Sequence, residues 1–303
     1  MCAVVLAVGN GQPKFVGIAC INIVIGANAG GAFSPFGDIT TLMVWQKGLL
    51  SFSEFFALFI PALVNFLVPA LFMQFAVPKG RPERHEGASA LIERGGIAIV
   101  FLFMATIATA VSFHNFLHIP PVYGMTLGLG YLKLYSFYLK RSNHVLIDEE
   151  PARQSDFSNK DFDVFEKIAR AEWDTLFFFY GVILCVGGLS FIGYPNNVSS
   201  FFYCELGATT ANVLVGVLSA IVDNIPVMFA VLTMNPEMSD YQWLLVTLTA
   251  GVGGSLLSIG SAAGVALMGQ ARGQYTFFSH LKWTPVIALG YVASILTHYL
   301  ING

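Results

Sequence analysis

Apolar residues along this chain gather into long runs separated by short polar connections, and the runs have the length of a lipid bilayer. A spanning helix needs about 20 mostly apolar residues. Such runs fall at Phe15–Trp45, Phe52–Val77, Gly95–Phe113, Pro121–Leu139, Thr175–Tyr194, Glu205–Met234, Tyr241–Gly269 and Trp283–Ile301. Three of them are too long or too interrupted to be simple spans. The first breaks at Gly30–Asp38, another at Asp223–Pro226 and a third at Gly251–Ser261. The pattern predicts an all-α polytopic membrane protein whose chemistry sits at those interruptions.

Composition sharpens the picture. Of 303 residues, 55% are hydrophobic and 11% charged, with a mean hydropathy of +0.68. A soluble domain carries roughly 25% charged residues, so too few are present to coat a water-exposed surface. The 27 phenylalanines suit a lipid-facing perimeter. No basic patch interleaved with aromatics occurs, which argues against a nucleic-acid partner. Cys2, Cys20, Cys185 and Cys204 form no CxxC pair. Cys2, Cys20 and Cys185 lie in apolar runs and read as small core residues, not a disulfide framework or zinc site. The N-terminus lacks the basic region of a signal peptide and starts inside an apolar stretch.

The charges sort the connections by side. Lys79, Arg81, Arg84 and Arg94 lie in residues 78–94, and Lys140, Arg141, Arg153, Lys160, Lys167 and Arg170 in residues 140–173. Two helices separate these stretches, so both face the cytoplasm by the positive-inside rule. Residues 114–120, 195–204 and 235–240 carry no Lys or Arg and belong outside. Both flanks of Glu205–Met234 are then external, which predicts a re-entrant hairpin and returns Arg272 and Lys282 to the inside. Lys47 violates the rule mildly. Phe162, Phe165, Ile168 and Ala169 share one helical face, as an interfacial or a solvated loop helix would, with Trp173 at the membrane boundary. His114 and His118 flank a short outer connection and read as interfacial, and Lys133 as snorkelling.

Two of the interruptions match. Gly30, Gly31 and Gly37 of Gly-Gly-Ala-Phe-Ser-Pro-Phe-Gly-Asp38 fall on Gly253, Gly254 and Gly260 of Gly-Gly-Ser-Leu-Leu-Ser-Ile-Gly-Ser261 at one constant offset. The first segment runs outward and the second inward, the inverted-topology repeat of alternating-access transporters. Unwinding a helix in the bilayer frees backbone groups that each cost several kcal/mol unless they line a polar cavity or bind an ion. Glycine permits unwound conformations and close approach; the bland alternative is tight small-residue helix packing. The expected organisation is a first repeat ending within 1–77 (hairpin leg, broken helix 15–45, helix 52–77), then cytoplasmic loops and linking helices over 78–173. A second repeat fills 174–303, with helix 175–194, hairpin 205–234, broken helix 241–269 and helix 283–301. The offset carries Asp223-Asn224-Ile-Pro226 to just before Met1, so Cys2–Gly9 is expected to be the descending leg of a hairpin whose tip precedes this chain.

Charged residues inside a membrane are costly and mark function by default. Asp38 ends the first break, with Asn28, Ser34, Thr40 and Thr41 nearby. Asp223 sits mid-segment beside Asn224, with Thr209, Thr210 and Asn212 upstream, and the second break adds Ser255, Ser258 and Ser261. These carboxylate, amide and hydroxyl oxygens are ligands for a hard cation such as Na+. A carboxylate kept from water favours its protonated form and a bound cation its ionised form, so proton and cation compete for one site. Asp38 also reads as a helix N-cap, and Pro226 as the residue that fixes its break by lacking an N–H.

At these motifs the sequence resembles the NhaD-type sodium/proton antiporters of the ion transporter superfamily. The resemblance rests on Asn28-Ala-Gly-Gly-Ala-Phe-Ser-Pro-Phe-Gly-Asp-Ile-Thr-Thr41, Ser219-Ala-Ile-Val-Asp-Asn-Ile-Pro226 and Gly253-Gly-Ser-Leu-Leu-Ser-Ile-Gly-Ser-Ala-Ala-Gly264, and more weakly on Ala171-Glu-Trp-Asp174. It implies a homodimer in the bilayer, with a scaffold and a moving transport region. Ion sites at hairpin tips and broken helices would exchange Na+, often Li+, for H+, with no cofactor. The expected location is a bacterial inner membrane or an organelle membrane of bacterial descent. An organic-anion carrier of the same superfamily is the nearest rival, though two acidic residues at the breaks would repel a dicarboxylate. An intramembrane aspartyl protease needs GxGD, but position 35 is Pro, and no HExxH or GxSxG occurs. A non-transporting assembly subunit leaves the paired breaks unexplained.

Overall fold

The computed structural model describes residues 1–9, 12–78, 96–147 and 173–303, and contains helices and no strand among them. The two basic connections expected on the cytoplasmic side, and the amphipathic segment around Phe162–Ile168, lie mostly or wholly outside the described residues.

Two compact units divide the chain, one of Met1–Arg84 with Phe177–Gly303, the other His85–Leu176. In the smaller unit, α5 (Gly96–Leu117) packs against α6 (Val122–Ile147). Gly124 lies directly on the Ala110 backbone and Gly128 on the Thr106 side chain, so the absence of a side chain is what lets these helices touch. Only 6% of the apolar window of α5 is buried. Phe101, Phe103 and Met104 point outward, as a lipid-facing helix requires.

The larger unit holds the three breaks. It begins with α1 (Cys2–Val8), α2 (Pro13–Gly31), α3 (Ile39–Gln46) and α4 (Phe59–Met73), the last flanked by 3-10 turns at Glu54–Leu58 and Gln74–Ala76. After α7 (Trp173–Phe191), which straddles the division, come α8 (Tyr194–Ser199), α9 (Ala208–Leu218), α10 (Asn224–Met234), α11 (Asp240–Gly253), α12 (Ala262–Gln270), α13 (Phe277–Leu281) and α14 (Thr284–Asn302). Among the described residues four helices are by length and composition each able to cross a membrane: α2, α4 with its flanking turns, α5 and α14. The protein is an integral membrane protein. The arms α9 and α10 have 11 residues each, or about 16 Å at 1.5 Å per residue, half of a ~30 Å hydrocarbon core.

Helix α11 is the centre of this unit, buried continuously from Trp243 to Gly253 beneath α9, α10, α2, α3 and α14. Helix α4 lies along α14 and α2. Gly290 of α14 sits against the Asn65 carbonyl and Pro69 of α4, bringing the two backbones together where Pro69 has no N–H to offer the Asn65 carbonyl.

Two expectations need correction here. Residues 195–204 are not a loop: α8 continues into a π-helical turn at Ser200–Glu205, set at 120° to α9. Pro195 falls in the first turn of α8, where its missing N–H costs nothing. The corner is made at Gly207, whose φ of +79° suits only a residue without a side chain. Cys185 is exposed on α7, with Phe177, Phe178 and Leu184, whereas Cys2 and Cys20 are buried. An apolar run inside a membrane protein does not distinguish core from lipid-facing surface.

Candidate functional site

Four helix ends meet at the site: the C-termini of α2 and α11 and the N-termini of α3 and α12. The connection between α9 and α10 joins them. Both breaks are built alike. Asp38 is the N-cap of α3 with φ −144° and ψ 158°, and Ser261 the N-cap of α12 with φ −148° and ψ 148°. In each, a glycine at the end of the preceding helix (Gly31, the last residue of α2, and Gly254, the C-cap of α11) folds onto the residues that start the next. A Cβ on Gly31 would lie 3.1 Å from both the Gly37 carbonyl oxygen and the Asp38 Cβ. One on Gly254 would lie 2.6 Å from the Gly260 carbonyl oxygen and 3.3 Å from the Ser261 Cβ. None of Gly30, Gly31, Gly37, Gly253, Gly254 and Gly260 has positive φ. Gly31, Gly37, Gly253, Gly254 and Gly260 serve these breaks through close approach, whereas Gly30 has open space beside it, and the expected need for unusual backbone angles is not met.

Asp38 is held on all sides. Its Oδ1 accepts the Ile39 backbone N–H at 2.7 Å, and its Oδ2 accepts the Thr40 hydroxyl at 2.9 Å. The Thr41 hydroxyl accepts the Asp38 N–H at 3.3 Å, closing a capping box. It also donates to the loop carbonyls, with Ser34 O at 2.8 Å. Ser34 Oγ accepts the Phe36 N–H at 3.4 Å, a local turn contact. The N-cap reading of Asp38 and its place in the polar cluster therefore coexist.

The decisive contact comes from the hairpin. Asn224 Nδ2 donates to Asp38 Oδ2 at 2.8 Å, across 186 residues of sequence. Asp223, next to it, stands at the N-cap position of α10 without a side-chain cap hydrogen bond, and its Oδ1 is buried without a hydrogen-bond partner. Two helix N-termini, each carrying an aspartate, thus converge. Pro226 lies in the first turn of α10, where an N–H would have no helical partner. On the other side Asn28 Nδ2, in the last turn of α2, donates to Ser261 Oγ at 3.1 Å, and both residues are buried. Ser255 Oγ turns back to the Val252 carbonyl at 2.6 Å. Ser258 Oγ is buried without a partner.

Thr209 and Asn212 do not join this cluster. Asn212 donates to Gln242 Oε1 at 2.9 Å, and Gln242 donates to Thr209 at 2.8 Å, at the end of α9 remote from Asp223. Nearness along an 11-residue helix is not nearness to its far end. Sequence reading also gave no role to Lys47, whose Nζ donates to the Leu232 carbonyl in the last turn of α10. A cation there satisfies a terminal carbonyl and complements the helix dipole, which accounts for a basic residue on the unexpected side.

Among the described residues no group of three or more His, Cys, Asp and Glu could hold a metal ion.

A model of the citrate transporter family, CitMHS, matches residues 1–251. The Na(+)/H(+) antiporter NhaD of Vibrio parahaemolyticus is 62% identical over 302 residues, covering 96% of this chain and 72% of that protein. The chain belongs to the CitMHS family and to its NhaD-type antiporter group. Proteins of the same name from Vibrio cholerae and Alkalimonas amylolytica are 60% and 56% identical across the whole of this chain. The chain spans 65% and 64% of their lengths. No solved structure matches it. Membership places the chain among membrane transporters.

Proposed function

We propose that the protein of which this chain is part exchanges Na+ for H+ across a bacterial inner membrane, using Asp38 and Asp223 as the groups over which cation and proton compete. The observation that carries this is the Asn224–Asp38 hydrogen bond, which joins the charged break to the charged hairpin tip. With both carboxylates ionised, the cluster has negative charge and oxygen ligands. Lys47 is engaged at the far end of α10. A proton or a sodium ion relieves the repulsion, and binding one disfavours the other. Asn28, Ser34, Thr40, Thr41, Ser255, Ser258 and Ser261 supply the surrounding oxygens. The backbone likeness of the breaks at Asp38 and Ser261 supports an inverted repeat that exposes this cluster alternately to the two sides. The family resemblance supports a homodimer and transport of Li+ as well.

The family model's name is that of a citrate carrier, yet the helix N-termini at Asp38 and Asp223 already bear resident anions, which disfavours a carboxylate substrate. The test is Na+-driven proton movement in inverted vesicles containing the full-length protein, with Asp38→Asn and Asp223→Asn alongside. Sodium-dependent collapse of a pH gradient, lost in either variant, is the expected result. Uptake of an organic anion without a sodium response would overturn the reading.

A further inference from the structure

The second break leaves consecutive carbonyls, at Ser255 and Leu256, without their ordinary helical partners. Both are taken up by side chains from one later segment. His280 Nε2 lies 2.9 Å from the Ser255 carbonyl oxygen, and Thr284 Oγ1 donates to the Leu256 carbonyl oxygen at 2.8 Å. Since a carbonyl only accepts, His280 Nε2 carries the proton. In the neutral ring Nδ1 is then an acceptor, and the Tyr275 hydroxyl donates to it at 2.8 Å. Tyr275 is 1% exposed and His280 fully buried. Helix α13, which bears His280, is itself fixed by a capping box between Thr276 and Ser279.

We propose that Tyr275, His280 and Thr284 are positioning residues for transport: they clamp the unwound backbone of the second break and so hold Ser258 and Ser261 where the ion is bound. The clamp acts through the peptide chain, since its anchor carbonyls lie within three residues of Ser258 and six of Ser261. Ser258 Oγ is buried without a partner, so its position depends on the backbone that the clamp fixes. Freed backbone at membrane depth must be satisfied by protein groups when no ion does so. This inference rests on the antiport reading above.

The test compares His280→Ala, His280→Gln and Thr284→Val in the full-length protein. Losing one such hydrogen bond corresponds to about tenfold in an equilibrium constant. We expect His280→Ala and Thr284→Val to raise the sodium concentration for half-maximal exchange by about that factor, with the maximal rate within about twofold. His280→Gln, whose amide can still reach the Ser255 carbonyl, should restore it. Hydrogen exchange of the 254–261 peptide should rise in His280→Ala and Thr284→Val but not in the glutamine variant. Unchanged half-saturation and exchange in Thr284→Val, or failure of glutamine to restore either quantity, would overturn the proposal even if His280→Ala does not fold. If the unaltered protein shows no sodium response, the antiport reading fails, and the exchange measurement still decides whether the clamp exists.

Discussion

The two helix breaks share a backbone but are braced by opposite chemistries. Phe33 and Phe36 of the first break sit in an aromatic bracket, Phe33 on Phe59 at 5.1 Å and Phe36 on Trp45 at 5.5 Å and on Phe52 at 6.4 Å. The second break has the Tyr275–His280–Thr284 hydrogen-bonded bracket, and Tyr275 occupies the position that the glycine offset assigns to Phe52. Their exposure also differs. Gly30 and Gly37 are exposed, while Gly253 lies on the Gly216 carbonyl and Gly260 on the Ser219 and Ala220 carbonyls. The N-cap is aspartate at one break and serine at the other. What is common is the fold-back at Gly31 and Gly254; what diverges is the charge, which only the first break carries.

Exchanging the features of one break for those of the other tests this contrast. Asp38→Ser, which gives the first break the cap of the second, should abolish sodium-dependent proton movement in vesicles. Ser261→Ala should lower its apparent sodium affinity by about tenfold, the value of one hydrogen bond. A Cβ at Gly253 has no room beside the Gly216 carbonyl, so Gly253→Ala should destabilise the detergent-solubilised protein by about 1–3 kcal/mol in thermal unfolding. Gly30→Ala, with nothing within 4 Å of its new Cβ, should shift stability by less than about 0.5 kcal/mol. Tyr275→Phe makes the second bracket resemble the first and should cost about 1 kcal/mol by the same measurement. Lys47→Gln, which keeps a donor but drops the charge, should cost only about 0.3–1 kcal/mol, with the loss shrinking as salt is raised.

Much of this was legible in the residues. The breaks at Gly30–Asp38 and Gly251–Ser261 could be placed because apolar runs of membrane length have few reasons to contain glycine pairs beside hydroxyls and a carboxylate. The structure ends α2 at Gly31 and starts α12 at Ala262, within those limits. Asp38 and Asn224 were both recognisable as buried polar residues, but not their pairing, which depends on tertiary approach across 186 residues. The clamp was invisible for a different reason. Tyr275 and His280 lie in a polar connection with no periodicity, and only their burial reveals that it folds back into the core; Thr284 opens the next apolar run. Residues 195–204 read as a connection because they fall between two apolar runs, yet Pro195 in a helix's first turn is compatible with helix.

Helices α3 and α10 are fastened twice. Asp38 meets Asn224 at their first turns and Lys47 meets Leu232 at their last. Two short rods pinned at both ends can neither slide past nor splay from one another, so they form a strut. Over the eight residues of α3 such a strut is about 12 Å long. A displacement that begins at Asp38 therefore reappears at Leu232 as rigid tilt, not as bending. Leu232 is two residues before the α10 C-terminus and precedes the Asn235–Ser239 connection into α11. The Asp38 carboxylate and the Asn235–Ser239 corner are, mechanically, the two ends of one lever.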